Sequence, residues 1–136
     1  MQIHQSAEDY LESILMLQER NGSVRSIDIA TELQFTKASV SIAMKKLREN
    51  GFIQMDGEGL ITLTPSGMKI ANSIYNRHKI LTAFFIDLGV DPDVAAQDAC
   101  KVEHDLSEET FQKLLEHARQ HDAAKYDALE QTEAQP

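Results

Sequence analysis

Apolar residues recur at helical spacing from the start of the chain. Within residues 6–20, Tyr10, Leu11, Ile14, Leu15 and Leu17 fall at steps of three and four, which predicts an amphipathic helix. Ser6 is placed to cap its start and Gly22 to close its end. Ser26 is expected to cap a second, short helix whose apolar face is Ile27, Ile29, Ala30 and Leu33. A turn through Gln34-Phe35 leads to Thr36, another capping residue. Residues 37–50 then form a third helix that buries Val40, Ala43, Met44 and Leu47 and stops at Asn50-Gly51. Phe52-Ile53-Gln54-Met55 and Leu60-Ile61-Thr62-Leu63 are β-prone, and the glycine-containing turn Asp56-Gly57-Glu58-Gly59 joins them into a hairpin. Thr64-Pro65 opens a long helix, with threonine as the cap and proline at the first helical position, running to about residue 88 and ending at Gly89. Asp91-Pro92 begins a helix over 92–105, and Ser107 with Glu108 and Glu109 begins a last one that ends near 117–120. The polar chain beyond Asp122, finishing Glu133-Ala134-Gln135-Pro136, is expected to fray.

Two short helices in succession, the second capped by threonine and carrying Lys and Ser on its free face, predict a helix-turn-helix. A hairpin directly after it is a wing. The expected fold is therefore mainly α with a small β wing: a winged helix-turn-helix over residues 1–70, followed by an all-helical unit over 71–136. Neither a repeat nor a long linker interrupts the chain.

Composition narrows the class. The 136 residues are 42% hydrophobic, enough for a core of ordinary size. No apolar run reaches the ~18 residues of a membrane helix, and Met1-Gln2-Ile3-His4-Gln5 has no basic stretch leading into an apolar one, so neither a membrane span nor a signal peptide is expected. The single cysteine cannot form an internal disulfide, which suits a reducing cytoplasm. The net charge of −9 argues against a nucleic-acid partner until its distribution is considered. Residues 22–50 carry Arg25, Lys37, Lys45, Lys46 and Arg48 against Asp28, Glu32 and Glu49, whereas residues 91–136 hold four basic and twelve acidic side chains. One short basic segment in an acidic chain is the pattern of a DNA-binding module joined to something else.

A recognition helix needs small or polar residues at its N-terminal end to enter the major groove, and Thr36, Lys37, Ala38, Ser39 and Ser41 meet that need. Lys45, Lys46 and Arg48 would lie near phosphates, as would Ser26 at its helix N-terminus. Taken alone, such a basic face is equally the solvated face of a protein-interaction domain; the wing and the local charge favour DNA.

Candidate metal chemistry lies in Cys100-Lys101-Val102-Glu103-His104. On a helix, Cys100 pairs with Glu103 at i,i+3 and with His104 at i,i+4, bringing three ligand types to one face. Asp9 and Glu12 form an i,i+3 carboxylate pair on the first helix, and His78 sits near the middle of the fourth. Individually each has a plain structural reading: a helix-dipole partner, a polar surface residue, a small core thiol. His4, His117 and His121 lack partners at useful spacing and are read as surface residues; Asp98 and Asp105 are solvated or support a ligand. Carboxylates with imidazoles suit Mn2+ or Fe2+, and a thiolate moves preference toward Fe2+, Zn2+ or Co2+.

The ordered motifs Glu8-Asp9-Tyr10-Leu11-Glu12, Asp28-Ile29-Ala30, Ala38-Ser39-Val40, Lys46-Leu47, Leu63-Thr64-Pro65-Ser66-Gly67, Arg77-His78 and Val102-Glu103-His104 with Leu106-Ser107 resemble the DtxR/MntR family of metal-dependent transcriptional repressors, its short manganese-sensing branch in particular. The resemblance covers about residues 6 to 118. It implies that Asp9, Glu12, His78, Cys100, Glu103 and His104 stand where the family's metal ligands stand, with the first helix shared between the reading head and the metal site. The chain ends where longer members would continue into an SH3-like domain. Cys100 departs from the manganese sensors, which commonly carry glutamate there, and matches iron sensors, which in turn commonly have methionine at the position of Asp9. The donor set thus mixes hard oxygen with soft sulfur: Mn2+ is expected, Fe2+ is the alternative, and Zn2+ or Co2+ would bind in vitro because affinity rises along the first-row series. One or two ions per subunit are compatible with six ligands.

The resemblance further implies a homodimer on double-stranded operator DNA, repressing metal-uptake genes when metal is plentiful, with no enzymatic activity, membrane or small-molecule substrate. Phe84, Phe85, Leu88, Phe111 and Leu114 are the expected dimer-interface residues. Without metal, Asp9, Glu12 and Glu103 would crowd negative charge at one junction. An ion removes that repulsion and fixes the spacing of the two reading heads, a coupling typically of ~1–3 kcal/mol. A thiol-based redox regulator using Cys100 is a separate alternative on the same fold. A hydrolase is disfavoured by the lack of a nucleophile, a phosphate-cradling glycine loop or a His-Glu-x-x-His run.

Overall fold

A computed structural model of the chain describes residues 5–131. Its elements are α1 (Gln5–Asn21), α2 (Ser26–Leu33), α3 (Lys37–Glu49), β1 (Ile53–Met55), β2 (Ile61–Leu63), α4 (Pro65–Asp87), α5 (Pro92–Val102) and α6 (Glu108–Gln131). The chain divides into two compact units within α4, between Asn72 and Ser73. His4 and residues 132–136 lie outside the described residues.

In the first unit, α1 buries the residues its periodicity marks: Tyr10, Leu11, Ile14, Leu15 and Leu17. The helix has already begun at Gln5, so Ser6 lies inside it rather than capping it. Gly22, at φ +82°, donates its N–H to Gln18 O and closes the last turn, a conformation glycine adopts at no steric cost. Ser26 does not cap α2 either. Arg25 is the cap, and Asp28 reaches back to accept its backbone N–H at 2.9 Å, leaving Ser26 as the first helical residue. Ile27 points outward, 47% exposed, while Ile29 and Ala30 are buried. Thr36 caps α3 as expected: its hydroxyl accepts the Ser39 N–H at 3.1 Å. Val40, Met44 and Leu47 then face the core.

The wing is a two-stranded antiparallel hairpin pairing Ile53 with Leu63, Gln54 with Thr62 and Met55 with Ile61. Asp56 builds its turn by accepting the backbone N–H groups of Glu58 and Leu60 at 2.9 Å. Those two bonds, Leu60's first, hold its carboxyl below the usual carboxylate range. Two contacts tether the hairpin to the segment before α2: Ile61 N–H donates to Val24 O at 2.8 Å, and Arg25 Nε to Glu58 O at 3.3 Å. Thr64 donates to Gly51 O and accepts the Gly67 N–H, so one side chain ends the wing and caps α4. A Cβ at Gly67 would collide with the Phe52 carbonyl, which explains a glycine in the first turn of a helix.

The second unit packs around Ile80, Leu81, Ala99, Phe111, Leu115, Ala118 and Tyr126. Asp91 caps α5 by accepting the N–H groups of Asp93 and Val94, and Ser107 accepts the Thr110 N–H at the start of α6. The expected fraying beyond Asp122 does not occur over the described residues. Asp122 has non-helical dihedrals, and its carboxylate accepts the Lys125 N–H, starting a second helical run to Gln131. That run docks because Tyr126, 1% exposed, fills the core and donates its hydroxyl to Asp87 at 2.6 Å, while Lys125 Nζ meets the same carboxylate at 2.6 Å. Lys125 and Tyr126 together hold the Asp87 carboxyl below its ordinary range.

Candidate metal centre and nucleic-acid face

Helix α5 ends at Val102, three residues earlier than expected. Glu103 still has α-helical dihedrals and donates its N–H to Ala99 O, whereas His104 lies on the turn that follows. This short end directs two side chains inward. The Glu103 side chain is fully buried and that of His104 is 1% exposed. His78, from the middle of α4, puts Nδ1 2.9 Å from Glu103 Oε2, and His104 Nε2 lies 3.5 Å from Glu103 Oε1. A carboxylate taken wholly out of water requires charged or hydrogen-bonding partners, and here two imidazoles flank it.

A residue without a role in the sequence reading fixes this turn. Arg77 donates from one guanidinium nitrogen to Glu103 O at 3.1 Å and Leu106 O at 2.7 Å, and from the other to Glu108 at 2.8 Å. Its guanidinium also lies over the Phe111 ring, 5.0 Å from the centroid. Gln112 and then Arg77 hold the Glu108 carboxyl below its usual range. The signal in the sequence was adjacency: an arginine next to a candidate ligand on a helix that must face a buried turn.

Cys100 is exposed on the last turn of α5, in contrast to buried Ala99 beside it. On α1, Glu12 is 6% exposed and Asp9 half-buried, one helical turn apart. Burial first, and the Asp9 charge second, push the Tyr10 phenol up. Asp98 and Asp105 are exposed. The donors are carboxylate, imidazole and thiol; in the second unit a buried carboxylate between two imidazoles has the chemistry of a first-row divalent metal site.

Helix α3 separates a buried face from an exposed one, with Ala43, expected in the core, half-buried between them. Thr36, Lys37, Ala38, Ser39, Ser41, Lys45 and Lys46 are all exposed, as are Ile42 and Arg48, while Ser26 at the start of α2 is half-buried. Of the residues expected at a dimer interface, Leu88 is 67% exposed and Phe84, Phe85 and Leu114 are half-buried. Phe111 is core instead, at 3% exposure beneath Arg77. His117 and His121, read as isolated surface residues, stack edge-on with centroids 5.0 Å apart, and His117 meets Phe84 at 6.3 Å.

Comparison with known proteins places this architecture. Residues 2–59 match the family model described as iron dependent repressor, N-terminal DNA binding domain, and residues 64–124 match iron dependent repressor, metal binding and dimerisation domain. The transcriptional regulator MntR of Salmonella typhimurium is 38% identical over 114 residues, 84% of this chain and 73% of the relative. The chain belongs to the DtxR/MntR family of metal-dependent transcriptional repressors. An uncharacterized HTH-type regulator of Methanocaldococcus jannaschii is 37% identical over 81% of this chain and 90% of its own length. Among solved structures, the manganese regulator SloR superposes with a TM-score of 0.73 at 27% identity, over 88% of this chain and 55% of SloR. The chain therefore spans about half the length of such solved repressors. As a DtxR/MntR-family member it is a transcriptional regulator and not an enzyme, with a winged DNA-binding domain and a metal-binding and dimerisation domain. No helix among the described residues is long and apolar enough to cross a membrane.

Proposed function

We propose that this repressor senses Mn2+, with Fe2+ as the alternative ion, and that the loaded homodimer binds operator DNA in the cytoplasm to repress metal-uptake genes. The observation that carries the reading is the fully buried Glu103 carboxylate between His78 and His104. On the family resemblance, Asp9, Glu12 and Cys100 supply the remaining donors, for one or two ions per subunit. A divalent ion bound there neutralises the carboxylates. Holding donors from α1 as well as from α4 and α5, it couples the reading head to the dimerisation unit. Three carboxylates against one thiol favour Mn2+, and relatives named manganese regulators support the same ion. Cys100 and the family's description as iron dependent repressors are the grounds for Fe2+.

The residues of α3 and Ser26 contact DNA in this reading, with Lys45 and Lys46 on phosphates. Phe84, Phe85, Leu88 and Leu114 form the interface between protomers, Leu88 being the most exposed large apolar residue among those described. The test is fluorescence anisotropy of labelled operator DNA with chelator, Mn2+ or Fe2+ under anaerobic conditions. Metal must tighten binding; equal affinity with chelator and with metal overturns the reading. Competition titrations then rank Mn2+ against Fe2+.

A further inference from the structure

Ile42 stands out on α3. It is 59% exposed, the most exposed large apolar side chain described in the first unit. Its helix has no need of it for the core, because Val40, Met44 and Leu47 already form the buried face. Neighbours on a helix surface lie three and four residues away. For Ile42 those are Ala38, Ser39, Lys45 and Lys46, with Ser41 the preceding residue, all exposed. Ala38 and the two serines are short, and the lysines are long and flexible. Ile42 is thus a rigid apolar projection set among small residues in the second turn of α3.

We propose that Ile42 determines operator specificity by contacting the C5-methyl group of a thymine in the major groove. The inference rests on the DNA-binding reading of α3 and adds the chemistry of one base contact. Thymine is the base that presents an apolar group on the major-groove edge; guanine, adenine and cytosine present donors and acceptors there. Isoleucine against those polar edges would strip water from them and give no hydrogen bond in return. Against a thymine methyl it removes apolar surface from water on both sides. Its β-branch holds χ1 in one strongly preferred helical rotamer, so little side-chain freedom is lost on contact. Ser39 and Ser41 remain for polar edges or phosphates, and Lys45 and Lys46 for the backbone.

The test begins with duplex oligonucleotides of randomised core, enriched on the Mn2+-loaded full chain, wild type and Ile42→Ala in parallel. Each thymine of the wild-type consensus is then replaced singly by deoxyuridine, which deletes the methyl and keeps the pairing, and affinities are read by anisotropy. For wild type, one thymine per half-site is expected to lose about fourfold on replacement, the worth of one buried methyl. Ile42→Ala should bind the unmodified site several-fold more weakly and be indifferent to that replacement, while Ile42→Val keeps the sensitivity. Circular dichroism should show both variants folded, since Ile42 is 59% exposed and the buried face of α3 is Val40, Met44 and Leu47. The proposal is overturned if no deoxyuridine replacement weakens wild type, or if Ile42→Ala is weakened as much as wild type. If wild type binds with metal but ignores the thymine methyl, this inference alone fails. If wild type enriches no sequence with metal or with chelator, the DNA-binding reading fails and takes the inference with it.

Discussion

His78 and Glu103 are 25 residues apart in the chain, yet Nδ1 and Oε2 stand 2.9 Å apart. The carboxylate is fully buried and the imidazole is 21% exposed. Glu103→Gln preserves size and can still bond His78, but it removes the negative charge that a divalent ion needs. The variant should fold normally and lose at least about tenfold in Mn2+ affinity, a loss that even indirect partners of ligands produce. Metal should no longer tighten operator binding. Calorimetric Mn2+ titration with parallel anisotropy reads both quantities, and a wild-type metal response in Glu103→Gln would remove Glu103 from the ligand set.

Arg77 should act on the same site without touching metal. Its planar guanidinium holds two carbonyls of the turn and the Glu108 carboxylate simultaneously, a geometry that lysine cannot reproduce. Arg77→Lys is expected to cost about 1–3 kcal/mol of stability by leaving a part-buried carbonyl unbonded. It should also weaken metal binding, because Glu103 and His104 sit on the turn it holds. Glu108→Gln should do neither measurably: the Glu108 side chain is 69% exposed, and exposed pairs contribute little. Thermal denaturation and metal titration of the two variants separate clamping from simple charge.

Most of the local signals were legible because they are local. Thr36, Thr64, Asp91 and Ser107 each bond a backbone N–H within three residues, so sequence suffices to place them. Ser26 misled because two neighbouring residues compete for the same duty. Asp28 reaches back to Arg25 and moves the cap by one position. Phe111 misled because helical spacing shows which face is apolar but not whether a protomer's own core or a partner covers it. The end of α6 was hidden for a third reason. Tyr126 and Leu129 are too few for a periodic stripe, and the segment docks through partners distant in the chain: Asp87 receives Tyr126 and Lys125, and Lys79 donates to the Leu129 carbonyl. The buried state of Glu103 likewise depends on α4, which no spacing within residues 100–104 could reveal.

Cys100 tests the choice of ion. It is exposed, so Cys100→Ser should change stability by no more than about 0.5 kcal/mol. Replacing a soft sulfur by a poor oxygen donor should weaken Fe2+, Zn2+ and Co2+ more than Mn2+, whereas Cys100→Glu should raise the preference for Mn2+ over Fe2+. Competition titrations under anaerobic conditions give the ratios. If Cys100→Ser instead abolishes a response of operator binding to peroxide and leaves every metal affinity unchanged, the thiol belongs to a redox switch.

Tyr126 and Asp87 give the second unit a pH window of their own. The Tyr126 phenol is pushed well above its ordinary value, by burial first and then by its bond to Asp87. A pKa raised in the folded state contributes stability that is complete below the unfolded value, about 10, and declines as pH rises beyond it. Asp87 runs the other way. Lowered by Lys125 and then Tyr126, it contributes above about pH 4 and loses that contribution as pH falls below. Docking of the last helical run should therefore be strongest between those limits. Tyr126→Phe keeps the ring in the core and removes one charge-assisted bond, at an expected cost of about 1.5–3 kcal/mol near neutrality. It should also remove part of the alkaline loss, because no phenol is then left to ionise against Asp87. Melting curves of wild type and variant at steps from about pH 2 to about pH 12, spanning both edges of the window, provide the comparison. A constant difference across that range would show that the bond to Asp87 is not what anchors the segment.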